Sequence, residues 1–246
     1  MLRTEYIATV AELLAGHAQA RPERIAFIDD ERAVTYGELA RTTARLAGHL
    51  QRLGVERGDR VLLCLDNRVE VAESYLAVPR AGAVAVCANP QAATAEVAHI
   101  LADSGARVVV TDNAHLGVVR QLVDGRPDVL AVVVVDAGDG GPGPVPELAY
   151  ADLLTTESGG PRDCLGLDDT AWMLYTSGTT GRPKGVHLTQ RGCFWWWPRA
   201  GPRSPGSART TWCSPRSRCS TPTRWCCAFS GSRRWGRASG SCRGSP

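Results

Sequence analysis

Short apolar runs alternate with segments of helical period along most of the chain, and this alternation restricts the fold more than any other feature of the sequence. A short apolar run bounded by turn residues is typical of a buried strand, and apolar residues spaced three and four apart are typical of an amphipathic helix. Strands that alternate with helices of about ten to fifteen residues form a mostly parallel sheet flanked by helices. We therefore predict an α/β fold of this kind.

The predicted elements follow one another from residue 25 onward. The strands are IAFIDD (25–30), RVLLCL (60–65), AVAVCAN (83–89), RVVVTD (107–112), AVVVVD (131–136) and DDTAWMLYTS (168–177), and the helices are YGELARTTARLAGHLQRLG (36–54), VEVAESYLAVPRAG (69–82) and TAEVAHILADSG (94–105). Glycine is common just beyond the last turn of a helix, which places the end of the longest helix at Gly54. The glycine and proline cluster at 138–147 is predicted to be a surface loop.

Composition indicates a soluble globular protein. Hydrophobic residues make up 43% of the 246 residues, which is enough for a core, and the chain contains no apolar run of the length that spans a membrane. The N-terminal segment carries Glu5 and Glu12 in a helical pattern, unlike a signal peptide, so we expect a cytoplasmic protein. The nine cysteines lack the spacing of a zinc site or a disulfide framework, and Cys64 and Cys87 are predicted to be buried in apolar runs.

The C-terminal tail, residues 194–246, differs in composition from the rest of the chain. It contains ten of the 28 basic residues and none of the 25 acidic ones, so the first 193 residues hold 28 − 10 = 18 basic groups and have a net charge of 18 − 25 = −7. Five of the nine cysteines and six of the seven tryptophans also lie in the tail. An arginine-rich segment of this kind often binds nucleic acid.

The segment TSGTTGRPK, from Thr176 to Lys184, is the most ligand-like part of the sequence. Gly178 and Gly181 allow the backbone to turn so that its N–H groups converge on an anion. Lys184, the only lysine of the chain, adds a positive charge next to Pro183, which stiffens the loop. Four hydroxyl groups can donate to phosphate oxygens, those of Thr176, Ser177, Thr179 and Thr180. The segment suits a polyphosphate better than the alternative, a solvated turn.

This segment does not follow the Walker A pattern, in which the lysine follows glycine and precedes serine or threonine. Here Lys184 follows Pro183 and precedes Gly185, which argues against a kinase or GTPase. His187 either faces a substrate pocket or is a structural residue on the strand that leaves the loop, and a lone histidine is more often structural. Asn89 and Pro90 are predicted to form a turn after a strand.

The loop TSGTTGRPKG resembles the phosphate-binding signature of the AMP-forming acyl-adenylating enzymes, which include acyl-CoA synthetases, peptide-synthetase adenylation domains and firefly luciferase. Four other stretches resemble the same superfamily and fall in the same order: VTYGELARTTARLAGHL, GVERGDRVLLCLDNRVEV, AVPRAGAVAVCANP and AHILADSGARVVVTD. The resemblance implies that residues 1–193 are the N-terminal portion of the AMP-binding domain. Residues 194–246 have no counterpart in it.

The resemblance also implies a reaction. A small carboxylic acid attacks the α-phosphate of ATP bound to Mg²⁺, pyrophosphate leaves, and a thiol of coenzyme A or of a carrier-protein phosphopantetheine arm captures the acyl-adenylate. The acid can be fatty, aromatic, amino or short-chain. The residues implied to bind the ATP phosphates are Thr176, Ser177, Gly178, Thr179, Thr180, Gly181 and Lys184. They would stabilise the charge of the leaving pyrophosphate, and no residue is identified as catalytic or as a metal ligand.

Several later parts of the superfamily are missing from the 246 residues, including the domain that carries its catalytic lysine. Lys184 is already part of the loop and is the only lysine, so that role has no candidate. We expect little or no adenylation by this polypeptide.

The tail composition is typical of GC-rich coding DNA read in the wrong frame. If each true codon combines the last base of one written codon with the first two bases of the next, residues 205–226 can be read as GLGPDDVVLSPLPLFHSYALVL, which resembles the superfamily's next segment. The frame is predicted to change near residues 194–197. Two alternatives remain: a truncated, non-enzymatic protein whose tail binds nucleic acid or a membrane surface, and a product that does not fold stably. We favour the frame change, and so expect neither a nucleic-acid partner nor a membrane span.

Overall fold

The structure is a computed structural model that describes residues 8–138, 143–176 and 182–195, with side chains of the last stretch described to Cys193. The helices are α1 (Val10–Ala20), α2 (Tyr36–Arg52), α3 (Val69–Arg80), α4 (Thr94–Ser104), α5 (Leu116–Val123), α6 (Tyr150–Thr155) and α7 (Gln190–Trp195). The strands are β1 (Ile25–Ile28), β2 (Ala33–Thr35), β3 (Arg60–Cys64), β4 (Val84–Cys87), β5 (Ala106–Asp112), β6 (Ala131–Val135), β7 (Glu147–Ala149), β8 (Thr170–Thr176) and β9 (Lys184–Thr189).

Seven of these strands form one sheet in the order β7-β6-β5-β3-β4-β8-β9. All neighbouring pairs from β7 to β8 are parallel, and the pair β8–β9 is antiparallel. The predicted α/β fold with a mostly parallel sheet and flanking helices is therefore confirmed. The first predicted strand differs from the others, since among the described strands β1 pairs with β2 alone, in a separate antiparallel sheet.

Side chains from alternate positions of the central strands fill two cores, one on each face of the sheet. On β3, Val61 and Leu63 belong to one core, whereas Leu62 and Cys64 belong to the other. The same alternation holds along β5 and β6, as expected for strands covered by helices on both faces. Cys64 is buried as predicted, and Cys87 is partly buried.

The helix ends follow local chemistry. Thr9 and Thr35 each begin a helix with a capping box, in which the threonine hydroxyl accepts a backbone hydrogen bond and a glutamate three residues later bonds back to the threonine. Helix α4 ends at Ser104 and is followed by Gly105, whose φ of 58° lies in the left-handed region that favours glycine.

Candidate functional site

The predicted phosphate-binding segment joins β8 to β9 at the edge of the sheet. Thr176 and Lys184 are register partners at the two strand ends, and both side chains are exposed. Directly opposite residues of an antiparallel pair project from the same face, so the threonine hydroxyl and the lysine ammonium share one side of the hairpin. The structure thus brings these two predicted site residues together. The other five, Ser177, Gly178, Thr179, Thr180 and Gly181, lie outside the described residues.

Gly185 leaves room for two side chains of β8 just after Lys184. A Cβ at this position would lie 2.0 Å from the Met173 Cε atom and 3.2 Å from Cζ of Tyr175, its register partner. Both distances are shorter than an ordinary van der Waals contact. The glycine that follows the lysine is therefore explained by the packing of the Met173 and Tyr175 side chains against this position.

Helix α4 contacts both strand ends from the opposite face of the hairpin. The Tyr175 hydroxyl donates a 2.6 Å hydrogen bond to Oδ2 of Asp103, and Nε2 of His99 lies 3.0 Å from the Pro183 carbonyl oxygen. The His99 and Tyr175 rings also meet edge to face with centroids 6.3 Å apart. Burial, together with the Asp103 carboxylate as hydrogen-bond acceptor and negative charge, raises the pKa of Tyr175 above its usual value, so the phenol remains a donor.

A second polar cluster lies at the carboxyl ends of β3 and β5. Asp66, Asp112 and His115 place potential metal-binding atoms within 4.8 Å of one another. Both Asp112 oxygens, however, already accept hydrogen bonds. Oδ2 accepts from the Asp66 backbone N–H at 2.9 Å, and Oδ1 accepts from the His115 backbone N–H at 3.0 Å. Oδ1 also lies 2.6 Å from Nδ1 of His115.

These contacts also set the ionisation of Asp112. Burial opposes its charged form, but the hydrogen bonds from Asp66 and His115 outweigh burial and lower the pKa of the carboxyl. The Asp112 carboxylate thus serves to fix the loops that contain Asp66 and His115. Sequence analysis missed it, although an aspartate that ends a strand and precedes a histidine by three positions was a visible signal.

His187 lies on β9 opposite Met173 and is exposed, which confirms that it is on the strand leaving the loop. Next to this strand, Gln190 is 2% exposed and its amide bonds to three backbone groups: it accepts from the N–H of Val10 and donates to the carbonyls of Leu165 and Gly166. No sequence pattern indicated these contacts, which fix α1 to the first residue of α7, directly after β9.

The segment between β8 and β9 contains glycines, hydroxyl residues and the single lysine, which are residue types whose donors can converge on an anion. The chain matches the family model described as AMP-binding enzyme over residues 14–229, and it belongs to that family. The matched range therefore includes residues 194–229, the first part of the C-terminal tail.

Several similar proteins are named as aryl-CoA ligases or synthases. The chain is 37% identical over 183 residues to a 4-hydroxybenzoate–CoA/benzoate–CoA ligase of Rhodopseudomonas palustris, covering 74% of this chain and 33% of the ligase. It is 36% identical over 178 residues to a feruloyl-CoA synthase of Amycolatopsis, covering 72% of this chain and 33% of that one. This chain therefore spans about a third of the length of these ligases.

A solved benzoate CoA ligase from Burkholderia xenovorans has the same fold, with a TM-score of 0.64 and 28% identity across 76% of this chain and 36% of the ligase. Acid–thiol ligase activity is thus the activity of the family.

Among the described helices, none combines the length and the apolarity that crossing a bilayer requires.

Proposed function

We propose that this chain supplies the ATP-phosphate site of an AMP-forming acid–thiol ligase. The reaction activates a carboxylic acid with ATP to an acyl-adenylate, which a thiol then captures. The observation that carries the proposal is the pairing of Thr176 with Lys184 across the ends of β8 and β9, in a chain of the AMP-binding family.

The proposed site binds phosphate through hydrogen-bond donors. Hydroxyl groups, backbone N–H groups and one ammonium can each donate a hydrogen bond to a phosphate oxygen. The proposed residues are Thr176, Ser177, Gly178, Thr179, Thr180, Gly181 and Lys184. When the acid attacks the α-phosphate, negative charge grows on the departing pyrophosphate, and fixed donors around it lower the barrier. Mg²⁺ enters with the ATP phosphates as part of the substrate.

We further propose that the acid is aromatic and that the thiol is that of coenzyme A. The names of the similar proteins support this, since they are ligases for benzoate and 4-hydroxybenzoate and a feruloyl-CoA synthase. A carrier-protein thiol is the alternative acceptor. Comparing benzoate and ferulate with a fatty acid as partners for ATP tests the acid class.

The 246-residue polypeptide itself is proposed to bind nucleotide phosphates but to form little adenylate. Adenylation in the superfamily uses a further lysine, and Lys184 is the only lysine of this chain. Acid-dependent pyrophosphate release from the purified chain, well above that of a Lys184→Ala variant, would contradict this part of the proposal.

Calorimetric titration with magnesium pyrophosphate tests the site directly. We expect Lys184→Ala to weaken binding by about tenfold, because it removes a charge-assisted contact to phosphate. Arg182→Ala is the matched control, since Arg182 is another exposed cation of the same segment. Equal losses in both variants would indicate unspecific charge attraction and would refute the site.

A further inference from the structure

One face of α4 meets both ends of the candidate loop. His99 and Asp103 are four positions apart on the helix and therefore lie one above the other on the same side. Asp103 bonds to Tyr175 at the end of β8, and His99 bonds to Pro183 just before β9. Two side chains of one rigid helix thus fix the two chain ends between which the phosphate-binding residues lie.

The chemistry of each contact is defined by its acceptor. A carbonyl oxygen can only accept a hydrogen bond. Nε2 of His99 must therefore carry a proton and donate a hydrogen bond to the Pro183 carbonyl. The Asp103 carboxylate accepts from the Tyr175 hydroxyl, which makes this a charge-assisted hydrogen bond. Tyr175 and Gly185 are register partners on the face towards α4, so Thr176 and Lys184 project from the other face.

We propose that His99 and Asp103 are positioning residues for phosphate binding. They support the hairpin from behind and hold the strand ends that carry the Lys184 ammonium and the Thr176 hydroxyl. Neither residue touches the ligand. The inference rests on the proposed function, because it assigns α4 a role at the same site.

The single lysine provides a measurement that needs no ligand. The endoproteinase Lys-C cuts only after lysine, so it can divide this chain at one place, between Lys184 and Gly185, into fragments 1–184 and 185–246. The bond lies at the first residue of β9 and must leave the hairpin to enter the protease. When opening and closing are both faster than cutting, the cleavage rate therefore reports the fraction of molecules in which this strand end is open.

Tyr175→Phe and Asp103→Ala each remove the same hydrogen bond and should raise the Lys-C cleavage rate about fivefold, the effect of a modest net hydrogen bond. The double variant should be cut no faster than either single variant, because both changes break one contact. His99→Leu should also be cut faster, whereas His99→Gln keeps an N–H donor and should be cut more slowly than His99→Leu. Glu96→Gln is the matched control, because Glu96 is an exposed carboxylate of the same helix.

Magnesium pyrophosphate affinity then separates positioning from simple stabilisation. The variants that lose a contact should bind pyrophosphate about three- to fivefold more weakly while remaining folded by circular dichroism, and His99→Gln should recover most of the loss. Cleavage rates equal to that of the unsubstituted chain would overturn the inference. Faster cleavage with unchanged affinity would also overturn it, because the contacts would then only stabilise the hairpin. Absence of pyrophosphate binding by the unsubstituted chain would instead overturn the proposed function, and the positioning role with it.

Discussion

The side-chain oxygen of Gln190 accepts a 2.7 Å hydrogen bond from the backbone N–H of Val10, a residue 180 positions earlier in the chain. The amide nitrogen of Gln190 donates to the carbonyls of Leu165 and Gly166 at 3.1 and 3.2 Å. One side chain thus joins the first helix, the segment before β8 and the end of β9. The strand that begins with Lys184 is fixed at its other end by this residue.

Replacing Gln190 with leucine should lower the free energy of unfolding by about 2–3 kcal/mol, because the substitution leaves buried backbone groups without partners. Gln51→Leu is the control, since the Gln51 amide bonds to backbone carbonyls at a more exposed position. Urea titration followed by circular dichroism measures both variants. Equal losses in the free energy of unfolding would show that the hydrogen bonds of Gln190 contribute no more to stability than those of Gln51.

Two helical glycines should respond to alanine in opposite directions. A Cβ at Gly48 in α2 would lie 1.9 Å from the Gly159 carbonyl oxygen, whereas a Cβ at Gly16 in α1 would meet no atom within 4 Å. Gly16→Ala should therefore stabilise the protein by about 0.5–1 kcal/mol through helix propensity. Gly48→Ala should destabilise it by about 1–3 kcal/mol, since it forces the 158–160 segment away from α2. Thermal unfolding compares the two, and a stabilised Gly48→Ala variant would disprove the close packing.

The loop-fixing carboxylate Asp112 predicts a pH dependence of stability. Its pKa in the folded protein lies below its ordinary value of 3.8, so the unfolded chain binds more protons in the range beneath that value. The stability that Asp112 contributes is thus present at neutral pH and is lost as the pH falls through the folded pKa. Urea titrations between pH 7 and pH 3 should show a flatter profile for Asp112→Asn than for the exposed control Asp128→Asn. Identical profiles would rule out this role.

The frame change predicted for the tail can be tested on the gene. Sequencing genomic DNA across codons 185–250 should reveal one gained or lost base near codon 195. The corrected frame should then encode a segment close to LGPDDVVLSPLPLFHSYAL in place of residues 206–224. Confirmation of the written frame in independent clones would reject the hypothesis and leave the arginine-rich tail as a real product.

The central strands were predictable because each is a continuous apolar run that is buried on both faces. The run RVLLCL, for example, corresponds to β3 at Arg60–Cys64. The short strands β2 and β7 were missed, since three residues are too few to show a period. The sequence also could not show that β1 pairs outside the main sheet, because a strand pattern does not identify its partner.

At the candidate site, the unusual combination of glycines, hydroxyls and lysine indicated a phosphate loop from residue types alone. The contacts of His99 and Asp103 with the strand ends had no local signal, because the residues that they contact lie more than seventy positions later in the chain. Such long-range hydrogen bonds become visible only when the sheet order brings α4 beside β8 and β9.

The strand order also has a consequence for synthesis on the ribosome. β4 lies between β3 and β8, and β8 is translated roughly eighty residues after β4. At a translation rate of about 5–20 residues per second, one edge of β4 waits about 4–16 seconds for its neighbour. During that interval the nascent chain exposes an apolar strand edge of the kind that chaperones protect. The hairpin that carries Lys184 therefore completes the sheet last.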